Sequence, residues 1–489
     1  MTLRTKHALT TTLALILAGF AAPQAQASGF QLREQSPSAQ GNAFAGVTAG
    51  GSDISVMFFN PASMTQFGGT QFSIGASYVA PKAEYSNGTA TPFTLGFGAY
   101  PSAPASHSNA AVSAALPALN LMYSLSNDLK LGFSVNVPFG LTTDYDASFI
   151  GRYHGLKSEL QTIDISPALA YRLNPQFSLG VAFVARKADA EITNAVDFGT
   201  IMMASTLNPT TGAPTAATPL FAAAGYGPGL QDGIGGLKGD AWGFGFKLGA
   251  TWQATEAFRI GVAYQSAIDI TLKGDGTFEI PTLPAVPAAG QTSAALLLSL
   301  QGRGFKNGAG EAELNLPSMT SLGFNYDISK TFAIQGEVAQ TGWSSFKELR
   351  VKFTDNIANN LYLKEAITEE EWKDTWFYSL GMTWKASEEW TFRAGLASDK
   401  GAVEDAYRTP RIPDGDRTWF SAGLGYALSK RTTIDLAVTH IAVKDGPVDL
   451  KDIPAGTTPS TSPNTYRGNL GGTFKNSIDI VSVSARFIF

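Results

Sequence analysis

Catalysis by this chain would have to start from few reactive groups. Beyond residue 27 there are three histidines, His107, His154 and His440, and the chain has no cysteine. That removes thiol nucleophiles, disulfide scaffolds and Cys-ligated zinc together. No G-x-S-x-G, H-E-x-x-H or P-loop pattern occurs, so a hydrolase would lack its activated serine, metal or phosphate cradle. The histidines read better as loop or lumen residues than as catalysts. Asp414-Gly415-Asp416 lacks the remaining ligands of a calcium loop. The expectations are no catalytic residue, no metal and no cofactor. An outer-membrane lipid hydrolase stays only as the alternative from another functional class. The remaining signals are of a different kind: two clusters of apolar side chains in loop-like stretches, and a proline where a strand should continue.

The elements that hold them follow from composition. Of 489 residues only 15% are charged, against about 25% in a soluble protein. Aromatic residues make up 11%, the mean hydropathy is +0.01 and the net charge is -5. A disordered chain would be poorer in aromatics and richer in charge. A helical membrane protein would be far more apolar, and the slightly acidic total disfavours nucleic acid as a partner. Arg4 and Lys6, an apolar run from Ala8 to Phe20, and Ala25-Gln26-Ala27 have the layout of a secretory signal, so residues 1–27 are expected to be removed. A membrane anchor is the alternative, but the run is short for a bilayer. Nothing after it reaches the length of a spanning helix, and the nearest stretch, Ala294 to Leu300, falls far short. The exported product is either soluble or embedded by strands alone.

Period-two alternation favours the second. From Phe258 the even positions read Phe258, Ile260, Val262, Tyr264, Ser266, Ile268, Ile270 and Leu272, opposed by Arg259, Gly261, Ala263, Gln265, Ala267, Asp269, Thr271 and Lys273. About fourteen such segments begin near residues 70, 117, 130, 160, 176, 240, 257, 312, 331, 373, 389, 416, 431 and 475. The number is even, as single-chain bacterial barrels require. Several segments exceed the roughly 5 to 6 residues of a soluble strand. A soluble sandwich or β-helix also alternates, but its second face would be rich in Lys and Glu, whereas here it is Gly, Ser, Thr, Ala and Asn. The chain ends on an alternating strand, Val481, Val483, Ala485, Phe487 and Phe489. The fold class expected is all-β, a transmembrane antiparallel barrel over residues 69–489.

Three regions depart from the pattern. Residues 28–68 have neither period yet carry Phe30, Phe44, Met57, Phe58 and Phe59; they are read as a plug in the lumen, or alternatively as a periplasmic tail or small domain. Residues 196–239 and 278–311 are long insertions expected outside the cell. Their clusters, Ile201, Met202 and Leu207 in the first and Leu296, Leu297 and Leu300 in the second, form a greasy surface groove or else pack on one another. In the third strand Pro138, followed by Phe139 and Gly140, either opens a gap in the ladder or marks a bulge that merely turns the strand, because proline has no N–H to donate and a barrel offers no free edge.

These residues resemble the FadL family, outer-membrane transporters of long-chain fatty acids. The likeness is carried by Ser28-Gly29-Phe30-Gln31-Leu32, Asn60-Pro61-Ala62, Trp242-Gly243-Phe244-Gly245, Leu314-Asn315-Leu316-Pro317, Trp390-Thr391-Phe392-Arg393 and Ile412-Pro413-Asp414, with Asp416-Arg417 following. It implies a fourteen-stranded barrel closed by an N-terminal hatch, with ligand passing from a groove between two loops to an inner pocket and leaving sideways at a kink in strand three. Asn60-Pro61-Ala62 then falls in the hatch, Pro138-Phe139-Gly140 at the kink, and Ser28-Gly29-Phe30 at the hatch tip beneath the pocket. Lys364 falls where the family has a pocket lysine, with Glu369, Glu370 and Glu371 following. The family's arginine after strand five does not align cleanly with Arg186 and Lys187, so a carrier of neutral aromatic or alkane hydrocarbons is the alternative. The implied partners are the hydrophobic ligand, outer-membrane lipid and lipopolysaccharide, and the barrel assembly machinery; the expected state is a monomer.

Overall fold

The computed structural model describes residues 29–92, 99–101, 104–107, 109–208, 210–361, 363–451 and 467–489. The signal segment and Ser28 lie outside the described residues. The chain crosses the wall of one barrel fourteen times: β1 (Gln71–Thr91), β2 (Ala114–Ser124), β3 (Leu129–Asn136, resuming at Gly140–Asp144), β4 (Lys157–Arg172), β5 (Phe177–Asp197), β6 (Asp232–Gln253), β7 (Phe258–Gln265 and Ile268–Glu279), β8 (Gly308–Leu316 and Met319–Asp327), β9 (Phe332–Thr341 and Glu348–Phe353), β10 (Glu365–Glu369 and Thr375–Lys385), β11 (Trp390–Asp399), β12 (Arg417–Ser429), β13 (Thr432–Val443 and Gly446–Leu450) and β14 (Asn469–Ile488). Each strand pairs antiparallel with the next, and β14 closes the ring on β1 from Gln71↔Ile488 to Thr91↔Asn469.

Closure explains the alternation: with no edge left, one face of every strand meets lipid and the other the lumen. The outward positions carry an apolar band that would be intolerable in water, such as Phe244 at 62% exposure, Leu380 at 67% and Leu396 at 58%. Paired aromatics near the short-turn end, Phe177 with Trp252 at 5.9 Å and Trp390 with Tyr426 at 4.5 Å, suit the membrane interface. No helix is long and apolar enough to cross a membrane among the described residues. Tight turns such as Ser126–Asp128 and Asn174–Gln176 join one end of the strands, and long connections join the other, which is therefore the outer side.

Strand boundaries differ from the sequence expectation at the two insertions. β5 runs on to Asp197 and β6 begins at Asp232, so the glycine-rich stretch Gly233–Gly239 is strand; β7 likewise reaches Glu279 and β8 starts at Gly308. Gly235 and Gly236 leave room for Val196, Phe278 and Thr193 to cross close to the strand, so low alternation there reflects close packing.

Residues 29–68 lie within the ring of strands. They form a helical turn, Pro37–Gln40, capped by the Ser36 hydroxyl, and two 3₁₀ turns, Ile54–Phe58 and Pro61–Gln66, capped by Asp53 and Asn60. Inward glycines of the wall make room for this segment: Gly180 faces the backbone of Pro61 and Ala62, and Gly395 that of Asn42.

Candidate ligand tunnel and lateral gap

β3 holds β2 only from Lys130↔Ser124 to Val135↔Leu119, although β1 pairs β2 as far as Ala114. The stretch Ala114–Ala118 therefore has a neighbour on one side alone. The wall re-forms higher up, where Val112 N–H donates to the Thr142 carbonyl at 3.2 Å and Asp144 N–H to Ala110 at 2.8 Å. Pro138 sits in the middle of the gap. The backbone groups released there are taken up elsewhere, as buried peptide groups require. Gln35 accepts from Val137 N–H at 3.0 Å and donates to its carbonyl at 2.6 Å. Leu32 N–H donates to Pro138 O at 2.8 Å, and Gly140 N–H to Phe30 O at 2.9 Å. Thr162 of β4 accepts from Phe139 N–H at 3.0 Å and donates to its carbonyl at 2.7 Å. Residues 30–35 thus stand where a strand partner is missing. Asn136, fully buried beside the break, has neither side-chain polar atom bonded.

Asn60, Pro61 and Ala62 pack against β4, β5 and β6. Asn60 Nδ2 donates to Thr48 O at 2.7 Å and to Ala250 O of β6 at 3.1 Å, while its Oδ1 accepts from Ala62 N–H at 3.0 Å. One side chain caps a turn and ties it to the wall.

Phe30 lines a mainly apolar cavity of about 70 Å³. Its ring packs at 4.7 Å from Trp343, 5.7 Å from Phe346, 5.5 Å from Trp372 and 6.0 Å from Phe139. Leu141, Leu160, Leu272 and Leu314 form the sides. A second cavity, of about 90 Å³, lies between the long loops, lined by Ile201, Phe278, Phe305, Phe353 and Leu363 with Tyr153, Asp197 and Arg467 at polar positions. Ile192 and Leu237 belong to both, so the two adjoin across a single layer of side chains.

Lys364 lines neither cavity. It is exposed, and its Nζ donates to Asn360 at 2.7 Å; a flexible ammonium on a short loop is better hydrated than buried. Arg186 is buried but committed to Asp164 at 2.6 Å with its guanidinium against Phe139, and Lys187 pairs with Asp189 and Asp240 on the outer face. The cation in the inner cavity is Arg411, on the connection between β11 and β12. Its Nη1 donates to Ser158 Oγ at 3.1 Å and Thr193 O at 3.2 Å, and Nη2 to Asn194 at 3.1 Å. Nε has no partner, and no carboxylate stands within ion-pairing distance of Arg411 among the described residues. Burial and the charge of Arg467 lower its pKa, yet a guanidinium stays protonated at neutral pH. Glu370, buried nearby, accepts from Trp372 Nε1 at 3.0 Å and has its other oxygen unbonded. Burial pushes its carboxyl up to about 8, so it is largely neutral at pH 7.

The expected surface groove is altered too. Ile201, Met202, Leu296 and Leu300 are all buried in one core between the loops, Leu207 is half-buried, and Leu297 is exposed. Of the six, only Ile201 lines the outer cavity. The short helices Phe198–Ala204 and Ser293–Gly302 bury these side chains against the loop core, with Phe198 on Phe305 at 5.3 Å, because apolar loop residues left in water would aggregate. Ser28 lies outside the described residues. Gly29 adopts φ +59°, where a side chain would be strained and would meet Trp372 and Trp343.

A closed fourteen-stranded barrel with an apolar exterior, a filled lumen and two adjoining, mainly apolar cavities is the architecture of an outer-membrane transport protein. Residues 18–489 match the family described as outer membrane protein transport protein (OMPP1/FadL/TodX). The chain is 31% identical over 458 residues to a long-chain fatty acid transport protein of Salmonella typhi, covering 91% of this chain and 94% of that protein. It is also 31% identical to a 47 kDa outer membrane protein of Pasteurella multocida, over 95% and 98% of the two chains. A crystal structure of a Pseudomonas aeruginosa FadL homologue superposes with a TM-score of 0.78 at 23% identity, covering 94% of this chain and 100% of that one. The Ralstonia pickettii toluene transporter TbuX superposes at 0.58 with 18% identity, over 94% and 99%. The chain belongs to this family, whose members carry hydrophobic compounds, and it resides in the outer membrane.

Proposed function

We propose that the protein admits long-chain fatty acids by passive diffusion, and that residues 28–68 act as a hatch closing the route. The acid enters the loop cavity, moves past Ile192 and Leu237 into the cavity over Phe30, and leaves through the wall at Pro138 into the outer leaflet. A lateral exit spares the acyl chain a passage through water, which costs roughly 0.8 kcal/mol per exposed CH₂. The observation that carries the acid over a neutral ligand is Arg411: a buried guanidinium in an apolar cavity, with an unused donor and no paired carboxylate, suits an anionic head group. The second reading, a channel for neutral aromatic or alkane hydrocarbons, is favoured by the mainly apolar lining of both cavities and by Glu159 and Glu313, carboxylates that line the inner one beside Arg411. Mass spectrometry of lipid retained through purification separates the two. Carboxylic acids bound in near-stoichiometric amount are expected; hydrocarbon alone would refute the assignment.

A further inference from the structure

We propose that the lipid-facing wall where β13, β14 and β1 meet is a docking site for a lipopolysaccharide molecule, with Lys82 and Lys475 on a sugar phosphate and the His440–Asp479 pair on the amide and hydroxyl groups of its acyl chains. The site stands whichever compound the barrel admits. Charge marks it first. On the outer face of β4 to β9, Lys157, Lys187, Lys238, Lys273, Arg350 and Lys352 each meet a carboxylate, at distances between 2.6 and 3.7 Å. Lys82 and Lys475 are exposed on β1 and β14, and neither has a carboxylate within ion-pairing distance among the described residues. Glu84, opposite Lys475 in the register, stays outside that distance too. Lys82 faces Ser477, two residues from Lys475, so the two stems start about 7–8 Å apart. Ammonium groups that close repel one another, and an anion between them turns repulsion into attraction.

Depth marks it second. Phe72, stacked on Phe487 at 6.3 Å near the short-turn end, lies ten residues before Lys82. Ten residues of a strand tilted by about 40° rise about 25 Å, the height of the apolar band of such barrels. Between them the outward positions Ile74, Ala76, Tyr78 and Ala80 carry no charge, so Lys82 stands where the outer-leaflet phosphates lie. One step lower, Asp479 accepts from His440 Nδ1 at 2.7 Å, and both side chains are more than half exposed among Phe420, Val438 and Val481. A carboxylate only accepts, so the ester carbonyls of a glycerophospholipid offer it nothing, whereas the amide N–H and hydroxyl groups of lipid A acyl chains, just beneath the phosphates, donate. From this pair a groove of about 720 Å³ crosses β12 and β11 to β10, shallow at Ala394 and Ala422 between Leu396, Phe420 and Val438, and it suits an acyl chain. Lys82 is three residues beyond Val79, the last of β1 paired with β2, so a lipid held there borders the strand gap.

Protein stripped of lipid in detergent is titrated with deep-rough lipopolysaccharide and with phosphatidylglycerol, and occupancy is read by native mass spectrometry. Lipopolysaccharide should bind as one molecule per chain, and Lys82→Gln with Lys475→Gln should weaken it about 30-fold, which is about 1 kcal/mol for each lysine beside an anionic lipid. Lys273→Gln with Lys352→Gln, which removes two paired lysines, should leave it within about twofold. Lys82→Arg with Lys475→Arg should restore binding. His440→Leu with Asp479→Leu should weaken lipopolysaccharide and leave phosphatidylglycerol, whose acyl chains carry neither amide nor hydroxyl, unchanged. Lipopolysaccharide treated with phosphatase should bind the native protein as weakly as the intact lipid binds the glutamine variant, an arm that needs no substitution and decides the matter if a variant fails to assemble. Equal losses from the two lysine pairs, or none on dephosphorylation, would overturn the phosphate contact. Phosphatidylglycerol binding the native protein as tightly as lipopolysaccharide would overturn the choice of lipid.

Discussion

Replacing Arg411 by methionine keeps much of the volume of the side chain while removing its charge and donors. Its present partners, Ser158, Asn194 and the carbonyls of Lys157 and Thr193, hold the guanidinium plane but leave Nε unused. A carboxylate can therefore gain one direct charge-assisted hydrogen bond without breaking an existing ion pair. Such a bond contributes about 1.5–3 kcal/mol, which is roughly 10- to 150-fold in affinity. Arg411→Met should weaken binding of a long-chain acid by that factor and leave an alkane of equal length within about twofold, since its contacts are with the leucines and phenylalanines of the same cavity. Lys364→Ala, on an exposed side chain, should change neither ligand measurably. Isothermal titration in detergent with the acid, its methyl ester and the alkane reads all three. The discrimination should also vanish at acidic pH, where the ligand carboxyl takes up a proton and no longer needs a cation. Equal losses for acid and alkane, or an unchanged acid, would show that the head group does not meet Arg411.

Three further outcomes test the remaining parts. Pro138→Val with Gly140→Val restores a backbone donor and two strand-forming residues at the gap; uptake of labelled acid should fall to background while heat-modifiable migration on gels shows an assembled barrel. Glu370 directly follows the strand segment Glu365–Glu369, on the side of the long outer connections, where Arg350 meets Glu365 at 2.6 Å. Because its carboxyl titrates near 8, raising pH through that value puts an anion beside Arg411, so acid binding should weaken from pH 7 to 9 in the native protein and stay flat in Glu370→Gln. Gly29→Ala meets both a positive φ and the rings of Trp343 and Trp372; it should cost about 1 kcal/mol or more, read as faster proteolysis of the N-terminal segment, with no effect on barrel assembly.

What could be read from sequence divides along the range of the interactions. Alternation is a local property, repeated over eight or more residues in most strands, so the wall was legible strand by strand: the expected starts near 257, 331 and 431 fall within a residue of Phe258, Phe332 and Thr432. It faded where glycine replaced side chains, and Gly233–Gly239 passed for loop because the pattern is carried by side chains that packing there excludes. Pro138 announced a break since proline's missing donor needs no partner to be recognised. The break's second half, the row of Leu32, Gln35 and Thr162 that answers the orphaned groups, was not visible, because those residues come from distant parts of the chain. Arg411 was hidden for the same reason. It lies among charged and polar loop residues with no periodicity, and its meaning comes only from the convergence of β4, β5, β6 and β8 on one cavity. Lys364 sat on the same loop side of the barrel and looked equivalent, yet it faces solvent. A cation becomes a head-group site when burial leaves it without a carboxylate, and burial of a loop side chain is decided by the barrel as a whole.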